Sequence, residues 1–246
     1  MELVHAVVLG IIQGIFEWLP ISSSGNLVLF MVGLIGTPLQ AAIDLSLWLH
    51  IGTLLSVIVY FKKDILSLTK KEWKWLFTAT FFSFLVGTPL YLFASNFPVQ
   101  SGVKVIAVIG ALLIITGITQ LSVKEKGERK EDTKSSIITG LLQGFAALPG
   151  ISRSGTTTSA LLFQGYSSEQ ALRLSFLLSV PLVAAADVGV SLLHPGVITI
   201  NSMVAAGVAF VVGLLSIDIF LKLSRQIKFA YFAIILGLLS FIPLFF

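Results

Sequence analysis

The sequence predicts an all-α polytopic membrane protein made of two inverted-topology repeats, and three observations carry that expectation. The 246-residue chain is 56% hydrophobic and only 11% charged, with a mean hydropathy of +0.98; a soluble domain carries about 25% charged residues. Six stretches are long enough to cross a bilayer, near 42–61, 76–93, 102–121, 170–192, 202–221 and 229–245. The chain also repeats itself at an offset of 130 residues, and each copy opens on an apolar stretch that is interrupted in its middle.

The interrupted stretches cover 3–35 and 136–165. Pro20 and Ser22-Ser23-Ser24-Gly25 break the first; Pro149-Gly150 and Ser152-Arg153-Ser154-Gly155 break the second. Proline removes a backbone donor and glycine loosens a helix, so each half is too short to span. A helix, a break and a second short helix describe a re-entrant hairpin that enters and leaves on one side. Irregular backbone survives at membrane depth only where protein or a wet cavity surrounds it. The division that follows is repeat 1 over 1–121, a charged linker over 122–135 and repeat 2 over 136–246.

Lysine and arginine orient the spans. Lys62, Lys63, Lys70, Lys71 and Lys74 follow the first span, and Lys124, Lys126, Arg129, Lys130 and Lys134 follow the third. Arg173 precedes the fourth, and Lys222, Arg225 and Lys228 follow the fifth. With hairpins that do not cross, all of these fall on one face, which is then the cytoplasmic one; the loops at Phe97-Pro98 and His194-Pro195-Gly196 carry no cation and fall outside. The net charge of +4 is therefore a loop property and gives no reason to expect nucleic acid. No cysteine is present, which excludes disulfides and thiolate chemistry. The start, MELVHAVV, lacks the basic region of a removable signal peptide.

In the repeat, GIIQGIFEWLPISSSG (10–25) lies over GLLQGFAALPGISRSG (140–155). Gln13 meets Gln143, Gly14 meets Gly144, Ser22 meets Ser152 and Ser24 meets Ser154, while Ser23 faces Arg153. Three crossings follow each hairpin, and three is odd, so the second copy is inverted. The two tips then approach from opposite faces and meet near midplane, where inverted-repeat membrane proteins build their sites.

Each break is followed by a new helix, beginning near Ser24 and Ser154. Serine is a good N-cap, and a helix N-terminus offers unsatisfied N–H groups and a positive dipole end. Two such ends facing each other suit an anion. Arg153 adds a permanent charge and a planar fork of donors. Glu17 shares a helix face with Gln13 and suits a divalent cation, Mg²⁺ or Ca²⁺, or the work of a base. An Arg153–Glu17 ion pair that merely locks the hairpins together is the plain alternative. Asp187 is a weaker candidate, more readily a vestibule residue; His5 and His194 lie near ends or loops, and His50 sits within the first span with no assigned part. Trp73 and Trp75 read as interfacial anchors.

These motifs resemble those of the undecaprenyl-diphosphatase family of the bacitracin-resistance type. That family pairs an [E/Q]-x-x-x-E element and a proline–serine–glycine break with P-G-x-S-R-S-x-x-T. Here they stand as Gln13-Gly-Ile-Phe-Glu17, then PISSSGN, and PGISRSGTT over 149–157. The resemblance covers essentially the whole chain. It implies ten helices in two inverted repeats, usually a homodimer, in the cell membrane with the site open to the extracytoplasmic side. The implied activity removes one phosphate from a polyprenyl diphosphate with the help of a divalent cation. By that resemblance Glu17 and Gln13 take the positions tied to metal and water, and Ser23 that of the nucleophile. Ser152, Arg153 and Thr157 take phosphate-binding positions, Arg153 with a catalytic part; Ser22, Ser24, Asn26 and Ser154 are expected to bind phosphate as well. Asn26 stands where the family usually has histidine, and asparagine carries no proton in turnover. Direct attack by water and attack through Ser23 both remain open, and so does a transporter that moves a polyprenyl phosphate without cleaving it.

Overall fold

The computed structural model describes residues 2–96, 102–122, 131–226 and 230–245. Among them there is no strand, and the helices are α1 (Leu3–Phe16), α2 (Ser23–Phe30), α3 (Leu39–Trp48), α4 (His50–Tyr60), α5 (Lys62–Ser67), α6 (Lys70–Ser95), α7 (Gly102–Leu121), α8 (Thr133–Gly144), α9 (Arg153–Phe163), α10 (Ser168–Leu193), α11 (Ile200–Gln226) and α12 (Ala230–Leu239). The chain is an all-α polytopic membrane protein. Five helical stretches have the length and apolarity to cross a bilayer: Leu39–Tyr60, Lys70–Ser95, Gly102–Leu121, Ser168–Leu193 and Ile200–Leu223.

The sixth expected crossing is shorter than the sequence suggests. Over 229–245 the described chain forms only the ten-residue α12, followed by a 3-10 turn at Ile242–Phe245. The charged linker falls mostly on 123–130, and the Phe97-Pro98 loop on 97–101; both lie outside the described residues.

The interrupted stretches fold as two helix–break–helix units. Their arms have 14 and 8 residues in the first, where a π-helical turn at Met31–Ile35 extends α2, and 12 and 11 in the second. Each unit packs its first arm on a span of the other half. Gly10 and Gly14 of α1 lie against Ala205, Val208 and Val212–Gly213 of α11, so the two helices run parallel. Gly140 and Gly144 of α8 lie in the same way against Ala79, Phe82, Ser83 and Val86 of α6. A side chain at these glycines would meet backbone, which is why the helices can approach this closely only here.

The ends of the spans are pinned on two faces. On one, Arg173 at the start of α10 reaches Asp64 of α5 at 3.2 Å and Glu72 of α6 at 3.4 Å. Ser135 of α8 accepts from both Trp75 Nε1 and Tyr166 Oη, each at 2.7 Å. Trp75 is thus buried in the protein rather than standing as an interfacial anchor. At the other ends of these spans Asp44 of α3 accepts from Tyr91 of α6 at 2.7 Å and lies 3.7 Å from His194 after α10. By these contacts α8 enters from the face on which α6 starts, and α1 from the face on which α11 starts.

Candidate active site

The two breaks meet tip to tip. At the first, Ser22 takes the left-handed conformation (φ 61°) and caps α2 by accepting from Gly25 N at 3.2 Å. The same hydroxyl accepts from Gly150 N of the second tip at 3.1 Å, so one oxygen joins the hairpins. Ser152 caps α9 in the matching way, accepting from Gly155 N at 3.1 Å. α7 holds both tips from the side: Gln120 Nε2 donates to Pro20 O at 2.5 Å, and Thr116 Oγ1 donates to Gly150 O at 3.0 Å. The first N–H groups of α2 (Ser23, Ser24) and α9 (Arg153, Ser154) have no acceptor within their helices and carry the positive ends of two dipoles.

The tips open into a cavity of about 330 Å³. Its polar wall is Glu17, Ser22, Ser23, Ser24, His50, Ser152, Arg153 and Ser154; α6 and α10 supply a mostly apolar wall that includes Phe84, Gly87, Leu182, Val183, Ala186 and Leu193. Asp187 stands in that second wall. A pocket with one polar and one greasy side suits an amphiphile with an anionic head.

Glu17 is the hub. Its buried carboxylate receives Gln13 Nε2 at 3.1 Å, Ser23 Oγ at 2.8 Å and an ion pair from Arg153, and His50 Nε2 lies at 3.2 Å. The Arg153 pair crosses from one hairpin to the other, so the locking contact foreseen as the plain alternative is present. Breaking a buried pair of this kind by removing one partner costs about 3–5 kcal/mol. Arg153 also donates to Ser175 O of α10 at 3.1 Å, which leaves three of its five N–H donors uncommitted.

The remaining expected residues divide. Ser22, Ser23, Ser24, Ser152 and Ser154 line the cavity. Thr157 does not: its hydroxyl lies 2.6 Å from Gln143 Oε1 and 2.7 Å from Arg153 O, tying α9 to α8. Asn26 does not either; its amide donates to the carbonyls of Ile21 and Ser22 at 2.9 Å each and stiffens the break. Gln13 is buried behind the cavity wall with its Oε1 unpartnered. His194 belongs to the distant Asp44 contact.

Two residues enter that the motifs did not contain. The Leu39–Tyr60 span is distorted at Leu49, and there the His50 ring turns its Nδ1 to the carbonyl of Ser46 at 2.7 Å. Nδ1 must therefore carry a proton, and Nε2 faces Ser23 Oγ at 3.4 Å. Asp187 of α10 is 4% exposed, and neither of its carboxylate oxygens has a hydrogen-bond partner. Both were legible only as ionisable groups inside spans, which are functional by default.

Among the described residues no three His, Asp or Glu side chains converge on one point. The oxygens left without a partner are those of Asp187 at the cavity and Gln13 Oε1 behind its wall. That set fits a hard cation such as Mg²⁺ or Ca²⁺, which takes one or two carboxylates and completes its shell with water and substrate phosphate.

Fold and site together define a class: a multi-pass α-helical membrane protein whose two broken hairpins join tips around an anion-accepting cavity. The family is also shown. The model of "Bacitracin resistance protein BacA" matches residues 6–242, and the chain belongs to that family. It is 43% identical to the undecaprenyl-diphosphatase of Methanococcoides burtonii over 100% of this chain and 99% of that one. With the undecaprenyl-diphosphatase of Methanothrix thermoacetophila the identity is 37%, over 98% and 96%. With that of Haloarcula marismortui it is 36%, over 91% and 90%.

Proposed function

We propose that the protein is an integral membrane phosphatase that hydrolyses a polyprenyl, undecaprenyl-type diphosphate to the monophosphate and inorganic phosphate. The product is the recycled lipid carrier of envelope glycan synthesis. One observation carries the reading: a serine hydroxyl that donates to Glu17 at 2.8 Å and lies 3.4 Å from His50 Nε2, beside an arginine and two helix N-termini. That is a nucleophile next to an oxyanion cradle. The names of the relatives point the same way.

The diphosphate enters with its terminal phosphoryl group over Ser23. Its oxygens meet the N–H groups of Ser23, Ser24, Arg153 and Ser154 and the uncommitted donors of Arg153. Ser23 Oγ attacks phosphorus; its proton passes to Glu17 Oε2, to which it is already hydrogen-bonded, while His50 holds the carboxylate in place. The bond from phosphorus to the bridging oxygen breaks, and polyprenyl monophosphate leaves. Water then attacks the phosphoserine, giving one proton to the site while the seryl oxygen takes one back. Charge on the transferring group peaks in the transition state, where Arg153 and the helix ends act most strongly. A divalent cation would supply further neutralisation of the diphosphate and of the leaving group; Glu17 and Asp187, the carboxylates at the cavity, are the protein groups that would hold it. The prenyl chain lies along the apolar wall of α6 and α10.

The same proposal includes the two inverted repeats. The exchange of α1 onto α11 and α8 onto α6 supports it, because the contacts match at the repeat offset: Gly14 meets Gly213, and Gly144 meets Ser83. It also places the protein in the plasma membrane as a homodimer, with the Arg173 face cytoplasmic and the cavity open outward. The test is phosphate release by purified protein from a long-chain prenyl diphosphate, with and without chelator. Release that needs a divalent cation is expected. No release, together with movement of polyprenyl phosphate across vesicles, would sink the phosphatase in favour of a transporter.

A further inference from the structure

Asp187 is a buried carboxyl group with no hydrogen-bond partner to account for its place. It projects from α10, six residues after Pro181, into the cavity that the hairpin tips share. It is 4% exposed, and both oxygens lack a hydrogen-bond donor. His50 and Glu17 are the charged groups that act on it through space, and neither reaches it. Arg153, the natural partner, is spent on Glu17 and Ser175 O. A carboxylate taken out of water costs several kcal/mol unless it is paired, neutralised or bound to metal.

The substrate makes the problem worse. A diphosphate held by Arg153 and the two helix ends lies in the same cavity as this carboxylate, anion against anion. A cation between them turns repulsion into attraction. Mg²⁺ in particular binds through one or two carboxylates together with substrate phosphates. Glu17 is badly placed to be the sole such ligand, because Arg153, Ser23, Gln13 and His50 already surround it.

We propose that Asp187 is a direct ligand of the divalent cation, supplied by α10 from the second half of the chain. The cation then bridges Asp187 and the diphosphate, and the Glu17–Arg153 pair stays intact. This rests on the phosphatase reading for its substrate, but not for its test.

Mn²⁺ is the probe, titrated into purified protein and followed by the loss of the free-ion electron paramagnetic resonance signal, alone and with methylene diphosphonate. The parent should take up one Mn²⁺ per chain, more tightly with the diphosphonate. Loss of a group that only orients a ligand already costs about 10–100-fold in metal affinity, so Asp187→Asn should weaken Mn²⁺ by at least that much. Asp187→Glu should recover part of the loss. In chelator the asparagine variant should melt no lower than the parent, because the group removed makes no hydrogen bond there; Mn²⁺ should raise the melting temperature of the parent alone. Mn²⁺ affinity within twofold of the parent in Asp187→Asn overturns the proposal. So does a parent that binds no Mn²⁺ even with the diphosphonate. If Mn²⁺ binding depends on Asp187 but no protein releases phosphate, the phosphatase reading fails and the cation site stands.

Discussion

The contact between the hairpin tips can be opened with one methyl group. A Cβ on Gly25 would lie 2.6 Å from Gly150 N and 2.7 Å from Gly150 Cα. Both are backbone atoms and cannot swing aside. Ordinary contact begins near 3.4 Å, so Gly25→Ala must part the tips by about 0.8 Å, the difference between 3.4 and 2.6. The hydrogen bond from Gly150 N to Ser22 Oγ, now 3.1 Å, is stretched beyond use. Its loss costs about 1 kcal/mol, partly offset by the better helix propensity of alanine. The larger effect falls on turnover. The tips carry Ser23, the proposed nucleophile, and Arg153 on separate hairpins, and a misplacement of about 1 Å costs about 10²-fold. Gly207→Ala is the control: it also lies in a helix, but its Cβ meets nothing within 4 Å. That variant should turn over normally and gain about 0.5–1 kcal/mol. The assay is phosphate release against prenyl diphosphate, with thermal melts in detergent. Parental turnover and melting in Gly25→Ala would refute the claim that tip-to-tip spacing sets the rate.

Arg153→Lys keeps the charge and the Glu17 pair but loses the fork, so turnover should fall by about 10²–10³-fold with a smaller change in KM; a parental turnover number would make Arg153 purely structural. Asn26→His would restore the family's usual residue, yet no rate gain is expected. A histidine there cannot reproduce two donated hydrogen bonds to Ile21 O and Ser22 O, and the melt should drop by about 1 kcal/mol. A rate increase with a new pH dependence near neutrality would show that the ring reaches the substrate after all. In the cysteine-free background a single cysteine at Lys70 should stay unlabelled by an impermeant thiol reagent until cells are opened; labelling of intact cells would reverse the orientation.

Much of this protein is written locally. Hydropathy and length mark the spans, because a bilayer demands long apolar helices that satisfy their own backbone. Pro20, Pro149 and the serine–glycine runs mark the breaks through their own backbone chemistry. The caps at Ser22 and Ser152 fall where serine before a helix predicts them. Glu17 and Arg153 are legible as ionisable groups within the broken stretches, and Ser23 through the resemblance of its motif. The short final helix was less so, since apolarity alone does not say where a helix ends.

Tertiary structure decided which neighbours these residues have. His50 lies 27 positions from Ser23, and Asp187 lies 170 from Glu17. No local pattern joins them; only the packing of α4 and α10 around the tips does. The same packing turned Asn26 and Thr157 away from the cavity, because each found backbone or side-chain partners within its own hairpin. A sequence fixes what a residue can donate, accept or carry. Distance and burial fix what it meets, and those depend on how helices far apart in the chain close on one another.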